Sequence, residues 1–160
     1  MTKRQVFYSF HFGNDVMRVQ QVRNIRAIEE NTPVAPNAWE QVKAKGDKGI
    51  KEWIEDNMKY RSCVVVLIGT ETHKRPWVKY EIEKAWIDGK GLLGIHIHNL
   101  KCPNNGICSK GDNPFDQFAP FKVGGTVVVP SVYNPPANDA YNHISTNMAS
   151  WVELAIAQRG

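Results

Sequence analysis

This chain lacks the features that would place it in a membrane or outside the cell. Its apolar runs are short, "CVVVLIG" being the strongest, and none approaches the roughly 20 residues of a membrane span. The opening "MTKRQVFYSF" has a charged start but no apolar run of signal-peptide length and no small-residue cleavage site. A cytoplasmic location is therefore expected. Cysteine is scarce, with three residues. Cys63 falls in an apolar run and reads as core filler, while Cys102 and Cys108 bracket "PNNGI" in a loop. With His96 and His98 upstream, H-x-H followed by C-x5-C hints at zinc. Structural zinc ligands usually pair two to four residues apart, however, so the reading is two loop cysteines in a reducing compartment and no metal. A strong charge is missing too. The net charge is +4, and the basic groups "KAKGDKGIK" and "HKR" are interrupted. That excludes the sustained basic stripe of a nucleic-acid binder, yet a mild positive field still attracts a phosphate-bearing metabolite.

Several motifs are absent. No G-x-G-x-x-G follows the first apolar segment, and no G-x-x-x-x-G-K-[ST] or G-x-S-x-G occurs anywhere. A dinucleotide fingerprint, a P-loop and a nucleophile elbow are thereby excluded. A phosphoacceptor receiver would need an Asp ending its third strand, where this chain has "LIGT". "HFGND" makes a poor cradle for a flavin phosphate.

What is present is an alternation of strands and helices. "RQVFYSF" reads as a first strand. Asn14 and Asp15 offer an N-cap to an amphipathic helix whose apolar residues fall at 16, 19, 22, 25 and 28. A short second strand around Val34 is weakly marked. Asp47 caps a helix with Ile50, Trp53, Ile54 and Met58 on one stripe. "CVVVLIG" is continuously apolar, as a central parallel strand covered on both faces must be. Pro76 begins the next helix, Val78, Ile82 and Ala85 give its inner stripe, and Gly89 ends it. "GLLGIHI" follows as a strand. Residues 98–125 read as a long polar loop, "TVVV" (126–129) as a last buried strand, and about Asp139 to Gln158 as a closing helix. The 160 residues fit one domain, residues 1–160. The expected fold is α/β: a flavodoxin-like, doubly wound, parallel five-stranded sheet in three layers, with order 2-1-3-4-5.

In such sheets ligands bind beyond the carboxyl ends of the strands, at the switch in strand order. That point lies between "HFGND" and "GTETHKRPW". Glu81 enters from the second loop, four residues after Trp77 and so on its helix face. By itself a helix glutamate is usually only a solvated charge, and Glu83 and Lys79 are read that way. Asp15 is equally an N-cap. Phe10 shares a strand face with Val6 and Tyr8 and is equally core, and His96 and His98 are read as satisfied structural histidines.

The stretches "VFYSFHFGNDVMRVQQVRN", "WEQVKAKGDKGIKEWI", "VVVLIGTETHKRPWVKYEIEKAW", "GLLGIHIHNLK" and "SKGDNPF" occur in one order across residues 6 to about 116. In them the chain resembles the TIR-like family related to the bacterial Thoeris anti-phage proteins, a flavodoxin-like branch of TIR domains. The resemblance implies cleavage of the nicotinamide–ribose bond of NAD, used as substrate with no separate cofactor. The products would be ADP-ribose or a cyclic ADP-ribose signal for a downstream effector. It places the family's glutamate at Glu81. Phe10, Ser9, Asn14, Asp15 and Trp77 become the candidate substrate-binding residues. It also leaves room for self-association, while the scattered basic residues and short apolar runs leave neither nucleic acid nor membrane as an expected partner. Arg75-Pro76 and Val78 stand where TIR domains usually carry Ser before the tryptophan and often Cys after it. TIR domains also serve as non-catalytic interaction and signalling modules, and that alternative stays open.

Overall fold

The structure, a computed structural model, describes residues 6–10, 44, 46–59, 61–100, 110–118 and 120–159. The expected helix after Asn14 and Asp15, the segment around Val34, and Cys102 and Cys108 lie outside the described residues. Strand β1 (Val6–Ser9) is followed by helix α1 (Gly46–Met58), strand β2 (Cys63–Ile68), helix α2 (Pro76–Ile87) and strand β3 (Gly91–His96). Next come two-residue strands β4 (Lys122–Val123) and β5 (Thr126–Val127), strand β6 (Ser131–Tyr133) and helix α3 (Ala140–Ala157). Single turns of 3₁₀ helix occur at Thr72–Lys74 and Pro114–Gln117.

The described strands of the main sheet run in the order β1-β2-β3-β6, and every pairing is parallel. Parallel strands expose no face to water, which explains the unbroken apolar run of β2. All six residues of β2 are fully buried. Alternation divides the apolar side chains into two clusters. Val6, Cys63, Val65, Leu67, Leu93 and Ile95 meet Ile144, Met148, Trp151, Val152 and Ala155 of α3. Phe7, Val64, Val66, Ile68 and Leu92 meet Ile50, Ile54 and Met58 of α1 and Val78, Ile82 and Ala85 of α2. Each large apolar side chain so buried stabilises the fold by about 1.5–3 kcal/mol relative to exposure. The spacing-derived stripes of all three helices are thus the packed ones.

Helix boundaries follow local chemistry. Pro76 takes the first position of α2, where its missing N–H costs nothing. Gly89 ends that segment at φ 77°, a conformation open to glycine. Helix α3 starts directly after Asp139. Its end is tied to α2 by Arg159, whose guanidinium stacks 3.5 Å from the Trp86 ring centroid and donates to the Trp86 carbonyl at 2.7 Å.

Two expectations are corrected. "TVVV" is not a buried sheet strand, because Thr126, Val127 and Val129 are exposed. Thr126–Val127 pairs antiparallel with Lys122–Val123 across Gly124 and Gly125, at φ 57° and 84°. Two consecutive positive-φ residues make the turn that suits a tight hairpin, and Gly-Gly announces it in the sequence. The last parallel strand is Ser131–Tyr133, displaced past Pro130. Nor is 98–125 uniformly a loop. Pro114–Gln117 forms a turn that seats Phe115 in the core. Its N-cap is Asn113, whose Oδ1 accepts from the Phe115 N–H at 2.9 Å.

Gly91 carries a packing constraint. A Cβ there would lie 2.9 Å from the backbone nitrogen of Ile156, so β3 and α3 touch through bare backbone. Gly91→Ala must push the helix off the sheet. The expected cost is about 1–3 kcal/mol, seen as a fall in calorimetric Tm. An unchanged Tm would contradict this packing.

Candidate active site

Strand alternation fixes the first half of the site. Val6 and Tyr8 turn toward α3, so Phe7 and Ser9 turn toward α1 and α2. Ser9, the last residue of β1, is fully buried at the carboxyl end of the sheet. The second half comes from the β2–α2 connection. Thr72 is buried in that turn. Its Oγ1 accepts from the Gly69 N–H at 2.8 Å and lies 3.5 Å from the Leu67 carbonyl. Glu71 and Arg75 pair beside it at 3.3 Å. This ties off β2 and sets where α2 starts, and hence where Glu81 falls.

Glu81 is buried, with 7% of its surface exposed, among Val78, Ile82 and Ala85. Ser9 Oγ donates to Glu81 Oε1 at 2.7 Å. This short bond joins β1 to α2 across 72 residues of sequence. Burial pushes the Glu81 carboxyl up to about 8, while the Ser9 bond favours the charged form and acts in the opposite direction. Near neutrality the carboxyl is therefore mostly protonated.

The other candidates are placed as follows. Trp77 stands one helical turn before Glu81, half-buried, with its ring edge-to-face to Tyr80 at 5.6 Å. Phe10 is half-buried and packs with Tyr8 against the α3-side cluster. Asn14 and Asp15 lie outside the described residues. Glu83 and Lys79 are exposed. Trp151 stacks on Tyr133 at 4.1 Å, and Trp53 and Trp86 pack as partly buried anchors. Cys63 is buried and its thiol is pushed up to about 12, so it is inert core. Among the described residues no cluster of three or more His, Cys, Asp or Glu is arranged to hold a metal, and no helix is long and apolar enough to cross a membrane.

One reading of the sequence needs correction. By its spacing alone Glu81 reads as a carboxylate at the rim of the crevice, next to core-facing Ile82, with no buried partner and little effect on stability. Glu81 instead is buried and bonded to a buried hydroxyl. Sequence spacing put it beside core-facing Ile82, but only the packing of α2 over Ser9 encloses it. Thr72, which holds the turn, was not marked at all. Its one signal is a β-branched hydroxyl residue shortly after a strand end.

Stability should respond to pH accordingly. The folded carboxyl titrates near 8, against an ordinary value of 4.5, so between these values the folded state binds more protons than the unfolded one. Stability contributed by this group is then lost as pH rises through that window. Glu81→Gln cannot ionise. In urea unfolding, the variant is expected to gain on the wild type from about pH 5 to about pH 8 and to level off above that. A difference between the two that stays constant with pH would contradict the assignment.

Comparison with known proteins agrees with this architecture. Residues 7–102 match the family model described as Thoeris protein ThsB, TIR-like domain. A protein of Bacillus cereus (strain MSX-D12) named "Putative cyclic ADP-D-ribose synthase ThsB1" is 40% identical over 121 residues. The aligned part covers 72% of this chain and 62% of that relative, so the chain spans less than two thirds of the relative's length. The family match, residues 7–102, includes both Ser9 of β1 and the α2 segment that carries Glu81. The chain belongs to the Thoeris ThsB TIR-like family.

Proposed function

We propose that this protein cleaves the nicotinamide–ribose bond of NAD and forms ADP-ribose or a cyclic ADP-ribose signal, with Glu81 as the catalytic carboxylate, in bacterial anti-phage defence. The observation that carries the reading is the buried Ser9–Glu81 pair at the carboxyl end of the sheet. The name of the Bacillus cereus relative supports the reaction class. The five-stranded, three-layered flavodoxin-like arrangement, a cytoplasmic setting, self-association and an effector reached through the nucleotide product belong to the same proposal.

The chemistry suits one carboxylate. The C–N bond breaks with its electron pair passing to the pyridinium nitrogen, so nicotinamide leaves neutral and no acid is needed to protonate it. The ribose carbon is left cationic, as in glycoside cleavage. Free Glu81 is mostly protonated near neutrality. The positive nicotinamide ring, and then the ribosyl cation, favour its ionised form in a site where water no longer screens the attraction. Ser9 holds the carboxylate toward the strand end, and Trp77, one turn before Glu81 and packed on the same side of the sheet, is the candidate for stacking, whereas Phe10 packs on the α3 side. Asn14 and Asp15 remain candidates for ribose or phosphate contact. Water captures the cation to give ADP-ribose; a nucleophile within the ADP-ribosyl group gives a cyclic product.

A second reading, a non-catalytic interaction module, has its own observation. Ile87, Val129 and Leu154 are large, apolar and exposed, at 73%, 74% and 58%. Whether assembly uses these residues is read from their effect on the oligomeric state when each is replaced by Ser.

Nicotinamide release from NAD separates the two. Glu81→Gln should lose on the order of a hundredfold or more in rate, and Glu83→Gln on the exposed face should not change it. In the wild type, kcat/KM should rise with pH through about 8, since only the ionised free enzyme is productive. Ser9→Ala, which removes the bond favouring the charged form, should move that rise to higher pH. Turnover that survives unchanged in Glu81→Gln rejects the catalytic reading.

A further inference from the structure

The stretch "GDNPF" at residues 111–115 has no part in the Ser9–Glu81 pair, and it lies beyond the residues 7–102 that the family model matches. It is nevertheless packed against the connection from β2 to α2. Gly111 is buried, and a Cβ there would collide with the carbonyl oxygens of Gly69 and Thr70. The bare backbone of Gly111 therefore rests directly on the two residues that close β2.

What Gly111 abuts is the turn that places Glu81. The Gly69 N–H donates to Thr72 Oγ1 at 2.8 Å, the Arg75 N–H donates to the Thr72 carbonyl at 3.1 Å, and Pro76 then opens α2. Glu81 follows in the second turn of that helix. The far end of the connection is held as well. Gln117 Nε2 donates to the His73 carbonyl at 2.6 Å, and Asp112 Oδ2 lies 3.5 Å from His73 Nε2. Between these contacts Pro114 and Phe115 are buried, and Phe115 joins Ile68, Val78 and Ile82 in one apolar cluster. The segment is thus anchored in the core on which α2 rests, and it touches the connection at Gly69–Thr70 and again at His73.

Such a double contact matters because the Ser9–Glu81 bond is exacting. A hydroxyl–carboxylate bond of 2.7 Å leaves its usual range after about 0.3 Å of lengthening. Apolar burial is non-directional, so the stripe of Val78, Ile82 and Ala85 holds α2 on the sheet more firmly than it fixes where along β1 Glu81 falls. Backbone contacts at the start of the helix set that position more sharply.

We propose that residues 111–117 are a brace that holds the β2–α2 connection against the strand end, with Gly111 the positioning residue that keeps α2 seated over Ser9 and water off Glu81. Its consequence for catalysis rests on the reading of Glu81 given above; the seating of α2 does not.

The titration of Glu81 reports the seating. Burial, opposed by the Ser9 bond, holds it at about 8, and among the described residues no charged side chain adds to these two causes. A brace that lifts lets water in, and relief of the larger cause moves the midpoint down.

The test reads that midpoint by infrared difference between each variant and the same variant carrying Glu81→Gln, in the full chain without NAD. Gly111→Ala forces the brace off Gly69, and the midpoint is expected to fall toward 4.5 by about one pH unit or more. Asp112→Ala combined with Gln117→Ala frees His73 without touching the core, since both side chains are exposed, and should move the midpoint the same way by less. Gly91→Ala strains the opposite end of the sheet and should lower Tm while leaving the midpoint near 8, which separates positioning from general destabilisation. In turnover of NAD, the rise of kcat/KM with pH should move down together with the midpoint. Failure of nicotinamide release bears on the catalytic reading alone; the midpoint, read without NAD, bears on the brace. If Gly111→Ala does not fold, the double variant decides. A midpoint that stays near 8 in the brace variants, or that falls as far in Gly91→Ala, overturns the proposal.

Discussion

Desolvation of one carboxyl group is the constraint on which the rest turns. Glu81 sits on the inner face of α2, where an apolar residue would serve folding better, and its recorded hydrogen bond is to Ser9. A lone buried carboxylate is very costly, and the protein accommodates it by keeping the proton on. The Ser9 bond then aims the group at the end of β1 rather than into the core. Strand end, helix start and carboxyl orientation form one unit, and Thr72 sets its geometry by tying off β2. Loosening any of these would let water reach Glu81 and return it to an ordinary acid.

The same end of the sheet holds a second neutralised group of opposite kind. Glu81 is an acid kept protonated by burial, and His96 is a base kept unprotonated by burial. Each is a poor resident for an apolar interior. Groups displaced from their ordinary titration ranges cluster at functional sites. Their position beyond the strand ends is where an open parallel α/β sheet binds its ligands.

Much of the described fold was legible because its elements are long and periodic. Ile50, Ile54 and Met58, then Val78, Ile82 and Ala85, then Ile144, Met148, Trp151 and Val152 are stripes that only a helix over a core explains, and each is buried. "CVVVLIG" announced its central place by having no polar face. "TVVV" misled because β-branched residues suit any extended backbone. Its location was decided by the Gly-Gly turn before it and Pro130 after it. Burial of Glu81 was not legible. Spacing gives the face of a residue on its own helix, but the distance from that face to β1 is a tertiary quantity. Nor was it legible that His96, read as a satisfied structural histidine, leaves its buried Nδ1 without a hydrogen-bond partner among the described residues, since whether a histidine finds a partner depends on segments far away in sequence.

The most direct test of the account is the ionisation of Glu81 itself. Infrared difference spectra of wild type against Glu81→Gln isolate the protonated carboxyl band of this one residue, followed from pH 5 to pH 10 with and without a non-hydrolysable NAD analogue that keeps the pyridinium charge. The account predicts a band that persists through neutrality, disappears with a midpoint near 8, and is lost at lower pH when the cationic analogue binds. A band that vanishes in the ordinary carboxylate range, or one that the analogue leaves untouched, would contradict it.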